Sequence, residues 1–274
     1  GLLVLLLSAC LPEETPTLEE TPIQGESINY TANGVTLKGY LAYDSRIKGK
    51  RPGVLVVHEW WGHNDYARKR ARMLAELGYT ALAVDMYGDG KTAQHPKEAK
   101  KFMMEVIDNM ETATARFMAA LDFLKQQHTV NADQVAAIGY CFGGGVVLAM
   151  ARAGIDLKGV ASFHGSLATE NPAKSGEIKT KVLVLHGEAD QFITPTQLKA
   201  FKEEMQNANV DFEFIGYPDV QHSFTNPDAD AVAQKFGLPL AYDEAADKDS
   251  WAKLQRFLQR IFAESTAFSN IVRT

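Results

Sequence analysis

The stretch Gly139-Tyr140-Cys141-Phe142-Gly143-Gly144-Gly145 places a thiol in a turn between two apolar runs, Val135–Ile138 and Val146–Ala151. A strand-length run, a glycine-flanked turn and a helix-forming segment together expose a nucleophile at the top of a sheet, here in the pattern G-x-C-x-G. Glycine two positions to either side has a steric reason: the turn brings these positions together, and a Cβ on either would clash. Free cysteine also serves as a small buried apolar residue, so its reading depends on partners. Two follow it in the order acid, then histidine. Asp190 ends His186-Gly187-Glu188-Ala189-Asp190, after the apolar run Lys181–Leu185, and His222 ends Asp219-Val220-Gln221-His222 in a loop. In that order His222 would take the thiol proton and later protonate a leaving group, while Asp190 would fix the imidazole tautomer and stabilise the imidazolium.

These residues need a scaffold that brings them to one edge. Tyr30–Tyr43 alternates around Asn33-Gly34, a hairpin signal. Gly53–Val57, Thr80–Val84, Gly159–Phe163 and Lys181–Leu185 are short Val/Leu/Ala-rich runs of strands covered on both faces, and Val210–Ile215 alternates as a strand. Helical patterns separate them: Tyr66–Leu77 closing at Gly78, Pro96–Asn109, Thr112–Gln127, Pro195–Asn207 with Pro in its first turn, and Lys248–Phe262. Alternating strands and helices predict a mostly parallel sheet with helices on both faces, with chemistry at the strand C-terminal ends. The chain order nucleophile, acid, histidine is that of α/β-hydrolases.

The residues resemble the dienelactone hydrolase family over nearly all of 28–262. The carriers are Gly139-Tyr140-Cys141-Phe142-Gly143-Gly144, His58-Glu59-Trp60-Trp61-Gly62, Asp85-Met86-Tyr87, Gly187-Glu188-Ala189-Asp190 and His222-Ser223-Phe224. The resemblance implies that Glu59, after the third strand, pairs with the resting thiol and helps convert it to thiolate. It implies an oxyanion hole from the backbone N–H groups of Phe142 and Trp60. It also implies two arginines for a substrate carboxylate, and their positions are held here by Asp89 and Asn226. An acidic and a neutral residue there argue for a neutral ester or lactone, with Lys91 the nearest candidate cation. Trp60, Trp61, Tyr87, Phe142, Phe192 and Phe224 adjoin the candidate positions in sequence, and Trp61, Tyr87, Phe192 and Phe224 are the expected pocket lining. The segment 226–249 is long for a connection and is expected to shape substrate choice as a lid.

Composition excludes other classes. With 274 residues, 46% of them hydrophobic, one large core is expected at 28–265, followed by a tail at 266–274. A net charge of −6 lacks the basic face that phosphate binding needs, so no nucleic-acid partner is expected. Cys10 and Cys141 are the only cysteines, and the seven histidines show no metal-ligand spacing, so neither a disulfide framework nor a metal nor another cofactor is called for. The apolar start Gly1–Leu7 followed by Leu7-Ser8-Ala9-Cys10 resembles a bacterial lipoprotein signal end. Residues 1–9 would then be removed and Cys10 lipidated, with 10–27, rich in Pro, Glu and Thr, forming an extended tether. These features together lead to the expectation of a monomeric, lipid-anchored hydrolase of the bacterial envelope, periplasmic or outward-facing, acting on a small ester or lactone. A peptidase- or thioesterase-like activity and a non-catalytic, ligand-binding surface lipoprotein stay open at this point.

Overall fold

The computed structural model describes residues 22–271, with side chains through Glu264. Cys10 and its surroundings lie outside the described residues. Eight strands form one sheet: β1 Ile23–Ala32, β2 Val35–Asp44, β3 Arg51–Val57, β4 Thr80–Ala83, β5 Val130–Tyr140, β6 Gly159–Phe163, β7 Lys181–Gly187 and β8 Phe212–Tyr217. Their spatial order is β1-β2-β4-β3-β5-β6-β7-β8. β1 and β2 are antiparallel and β2 meets β4 antiparallel; every later pair is parallel. This is the mostly parallel sheet expected from the alternating pattern, in the α/β-hydrolase architecture expected from the order of the nucleophile, acid and histidine.

Helices cover both faces. On one lie α1 (Asp65–Glu76) and α7 (Glu244–Ile271). There Ala71 and Leu74 of α1 and Leu254, Phe257 and Leu258 of α7 pack on Val54, Val56, Ile138 and Leu183 of the sheet. On the other face lie α2 (Pro96–Ile107), α3 (Met110–Lys125), α4 (Phe142–Arg152) and α5 (Pro195–Asn207), with Phe117, Leu121, Val147 and Phe201 packed on Leu55, Ala137 and Val184. α1 shows the local logic. Asn64 caps it by accepting from the Ala67 N–H, and Ala67, Ala71, Leu74 and Ala75 repeat at helical spacing and are all buried. Burying Leu74 alone contributes about 2 kcal/mol. The helix stops at Leu77, and Gly78 follows at φ +98°, where a side chain would be strained.

Three boundaries differ from expectation. β1 begins at Ile23, inside the stretch read as tether, and pairs with β2 from Ile23↔Asp44 to Ala32↔Val35. It is an edge strand with mostly exposed side chains, so ladder hydrogen bonds rather than apolar burial hold it, and composition does not reveal it. The segment 226–249 is not a plain loop: α6 (Ala229–Phe236) occupies its middle, ending on Gly237 at φ +67°, and α7 starts within it at Glu244. α7 also continues to Ile271, past the expected domain end at 265. Among the described residues no helix is long and apolar enough to cross a membrane.

Candidate active site

Parallel strands end along a common edge, and every candidate residue follows one of them. Glu59 comes two residues after β3, Cys141 directly after β5, His164 directly after β6, Asp190 in the loop after β7, and His222 in the loop after β8.

Cys141 sits at φ +56°, ψ −119°, a conformation that L-residues rarely adopt, and its N–H is held by the Phe163 carbonyl. The flanking glycines permit this turn. A Cβ on Gly139 would lie 2.0 Å from the Gly143 carbonyl oxygen, and one on Gly143 would lie 2.2 Å from that of Val57. The first clash is across the turn, as the pattern implied; the second is against β3, so the elbow is also wedged onto its neighbouring strand. The thiol is half-buried.

His222 bridges the other two members. Its Nε2 is 3.2 Å from Cys141 Sγ and its Nδ1 is 2.7 Å from Asp190 Oδ2. Because the carboxylate only accepts, Nδ1 carries a hydrogen and Nε2 faces the sulfur. Asp190 is itself fixed, its Oδ1 accepting from the Phe192 N–H at 2.8 Å. Burial works against a charged imidazole. The negative charge on the Cys141 sulfur and the bond to Asp190 outweigh it and raise His222 to about 10. The geometry sets the imidazole where it can exchange a proton with the sulfur, the arrangement that nucleophilic chemistry by a thiol requires.

Glu59 is buried, and its hydrogen bonds go to the His222 loop. Asn226 Nδ2 donates to Oε1 at 2.7 Å and Ser223 Oγ donates to Oε2 at 3.3 Å. The thiol is hydrogen-bonded to His222, so the Glu59–thiol pairing implied by the family resemblance is not the one this structure displays. Burial pushes the Glu59 carboxyl up, against the lowering influence of Asn226, His222 and Ser223. Asn226 is thereby explained: its amide is occupied by Glu59. Asp89 is exposed, at φ +55°. Lys91 lies over the Phe102 ring, 5.1 Å from its centroid, with its ammonium 4.0 Å from Glu105. None of the three positions offers a free cation to a substrate carboxylate.

Of the two backbone donors expected for an oxyanion, that of Phe142 directly follows Cys141 in the chain. Phe142 is the first residue of α4, so its N–H has no intrahelical acceptor, and Trp60 lies in the turn after β3. Of the residues expected to line a pocket, Phe192 and Trp61 keep some of their surface exposed. Phe192 is 49% exposed with its ring edge-on to His222 at 4.9 Å, and Trp61 packs between Trp60 (5.2 Å) and Phe236 of α6 (6.3 Å). Tyr87 is buried, and its hydroxyl donates to the Trp60 carbonyl at 2.7 Å, so it supports the wall rather than lining it. Phe224 does not line the pocket: it is fully buried against Tyr217 and His164, because the loop turns its ring into the core.

The residues behind His222 are not evident from the pattern. His164, at φ +39°, stands edge-on to His222 at 5.3 Å, and its Nε2 is 2.8 Å from Thr225 Oγ1. Thr225 also meets the Tyr66 hydroxyl at 2.5 Å, and its carbonyl accepts from Arg70 at 2.9 Å. Arg70, buried on α1, completes its set with Asp247 of α7 at 2.6 Å. Thus α1, braced by α7, holds the His222 loop through Thr225. The only advance signal for His164 is a polar residue directly after a buried strand; for Arg70 there is none, since the run Arg68-Lys69-Arg70 reads as a solvated face.

Residues 37–262 match the Dienelactone hydrolase family. The chain belongs to that family. Among solved structures, a dienelactone hydrolase-like promiscuous phosphotriesterase, P91, from metagenomic libraries is 34% identical with a TM-score of 0.81, covering 88% of this chain and 99% of its own. A second solved structure, m3DLH, is 37% identical with a TM-score of 0.83 over the same shares. A Salmonella typhimurium protein named as a candidate carboxymethylenebutenolidase is 26% identical, over 87% of this chain and 89% of its own. Membership supports a hydrolase and accounts for the strand-end placement of the site.

Proposed function

We propose that this dienelactone hydrolase family member cleaves a neutral carboxylic ester or lactone through an acyl-cysteine intermediate. The observation that carries the reading is the unbroken line Cys141 Sγ, His222 Nε2, His222 Nδ1, Asp190 Oδ2, at 3.2 and 2.7 Å, on a strained strand-end turn. The Cys141 thiolate attacks the carbonyl carbon and the carbonyl electrons move to oxygen, which the Phe142 and Trp60 N–H groups receive. Collapse breaks the bond to the leaving oxygen, which takes the Nε2 proton of His222. The now neutral His222 removes a proton from water as it attacks the acyl carbon, and the thiolate departs with His222 protonated again. Glu59, through Ser223 and Asn226, holds the His222 loop against Cys141.

The missing cations and the rings of Trp61, Phe192 and Phe236 favour neutral, apolar substrates. P91 is described as a dienelactone hydrolase-like promiscuous phosphotriesterase, which makes a neutral phosphotriester a second class that the same uncharged site suits. Peptides are disfavoured as substrates, since an amine leaves less readily than an alkoxide unless it is protonated. The Leu7–Cys10 pattern supports, on sequence alone, a lipid anchor that holds a monomeric enzyme at the bacterial envelope.

A panel of nitrophenyl esters and lactones, each in neutral and carboxylate-bearing form, with a neutral phosphotriester alongside, tests the substrate class. Neutral esters are expected to exceed their anionic partners in kcat/KM by about tenfold or more, the worth of one unfavourable charge contact of about 1.4 kcal/mol. Higher turnover of the anionic compounds would contradict the neutral pocket. No turnover of any compound would favour the ligand-binding reading.

A further inference from the structure

The Trp60 N–H belongs to the peptide whose carbonyl is that of Glu59, and that carbonyl is not free to turn. His58 Nδ1 lies 2.6 Å from it, and the Gly62 N–H donates to it at 3.1 Å. The other ring nitrogen of His58, Nε2, accepts from the Met86 N–H at 3.1 Å. A carbonyl only accepts and a peptide N–H only donates, so both bonds are satisfied by one species alone, the neutral imidazole with its hydrogen on Nδ1. An imidazolium would set an Nε2 hydrogen against the Met86 N–H. Burial favours the same neutral form, lowering the His58 pKa despite the neighbouring carbonyl and Asp85.

The same ring touches the second donor. It stacks on Phe142 with centroids 5.8 Å apart and an interplanar angle of 29°, and Tyr87 meets it edge-on at 4.8 Å while also touching Phe142 at 5.5 Å, so the three rings form one cluster. Tyr87 also holds the next carbonyl along, that of Trp60. His58 is 1% exposed and takes no part in the proton transfers of the proposed reaction.

We propose that His58 is the positioning residue of the oxyanion hole. It sets the plane of the Glu59–Trp60 peptide so that the Trp60 N–H faces the reacting carbonyl, and it packs Phe142 beside it. Donation to the Glu59 carbonyl also polarises that peptide, which strengthens its N–H as a donor. The inference rests on the reading of Cys141 as the attacking group.

The test compares His58→Phe, which keeps the ring contacts but loses both hydrogen bonds, with His58→Gln, whose amide can donate to the Glu59 carbonyl and accept from the Met86 N–H. Ester turnover and alkylation of Cys141 by iodoacetamide are measured on each. Alkylation displaces iodide at a tetrahedral carbon and forms no oxyanion, so it reports the thiol and the fold but not the hole. In His58→Phe, kcat is expected to fall about 30- to 100-fold with KM within about threefold and alkylation within about twofold, and His58→Gln to recover most of kcat, given what one oxyanion donor contributes. Unchanged kcat in His58→Phe would overturn the inference. A parallel loss of alkylation would also overturn it, since His58 would then support the thiol or the fold. Cys141→Ala, assayed alongside, separates the two levels: if it retains turnover, the acyl-cysteine reading itself fails, whereas its inactivity with an unaffected His58→Phe sinks only the oxyanion inference.

Discussion

Cys141→Ala is expected to lower kcat/KM for the best neutral ester by at least about 10⁴-fold, the scale on which removal of a nucleophile acts when the remaining site only binds. The fold should survive. Cys141 is half-buried at φ +56°, and the backbone contacts of its turn, its N–H to the Phe163 carbonyl and the close approaches of Gly139 and Gly143, are kept in the variant. The sulfur's described hydrogen bond is to His222. A circular dichroism spectrum and melting curve close to wild type, beside an inactive enzyme, would assign the loss to chemistry.

Asp190→Asn should be almost as damaging, by about 10³- to 10⁴-fold in kcat, although Asn nearly matches Asp in shape. The amide can no longer stabilise an imidazolium, and it can present a hydrogen to Nδ1 and so favour the wrong tautomer. The pH profile identifies this cause. In the wild type, His222 stays protonated until pH approaches about 10, so activity that requires the imidazolium persists through neutral pH and is lost as pH rises through that value. Its raised value draws on the Cys141 sulfur and on the Asp190 bond together, so removing the carboxylate charge should move the alkaline limb downward, toward the ordinary histidine range, without abolishing it. A limb that stays in place would mean that Asp190 only packs against His222. Measured on kcat/KM, the limb reports the free enzyme.

The sheet and the three linked residues were legible in the sequence for one physical reason. Buried parallel strands must be apolar, and residues placed just after them fall on a common edge, so Cys141, Asp190 and His222 could be aligned from runs and turns alone. What escaped detection depends on contacts between distant segments. β1 is held by its ladder with β2, and its exposed side chains look like a tether. Glu59 reaches Asn226 across 167 positions, so the replacement of a cation by Asn read as a simple loss rather than as a new partner for the carboxyl. Phe224 neighbours His222 in sequence yet points the other way, since adjacent residues of a turn need not share a face. Arg70 stands in a charged run that reads as surface, but its guanidinium is buried against Tyr66, Tyr140 and Trp251. In each case the chain pattern locates an element, and only the packing decides which side chain meets which.

The measurement that bears most directly on the central claim is intact mass spectrometry of wild-type protein mixed with a neutral nitrophenyl ester and quenched in acid within milliseconds. An added mass equal to the acyl group, mapped by digestion to Cys141 and decaying at the rate of turnover, is the expected result. Steady release of product with no acylated protein at any quench time, or an adduct mapping to another residue, would contradict the account.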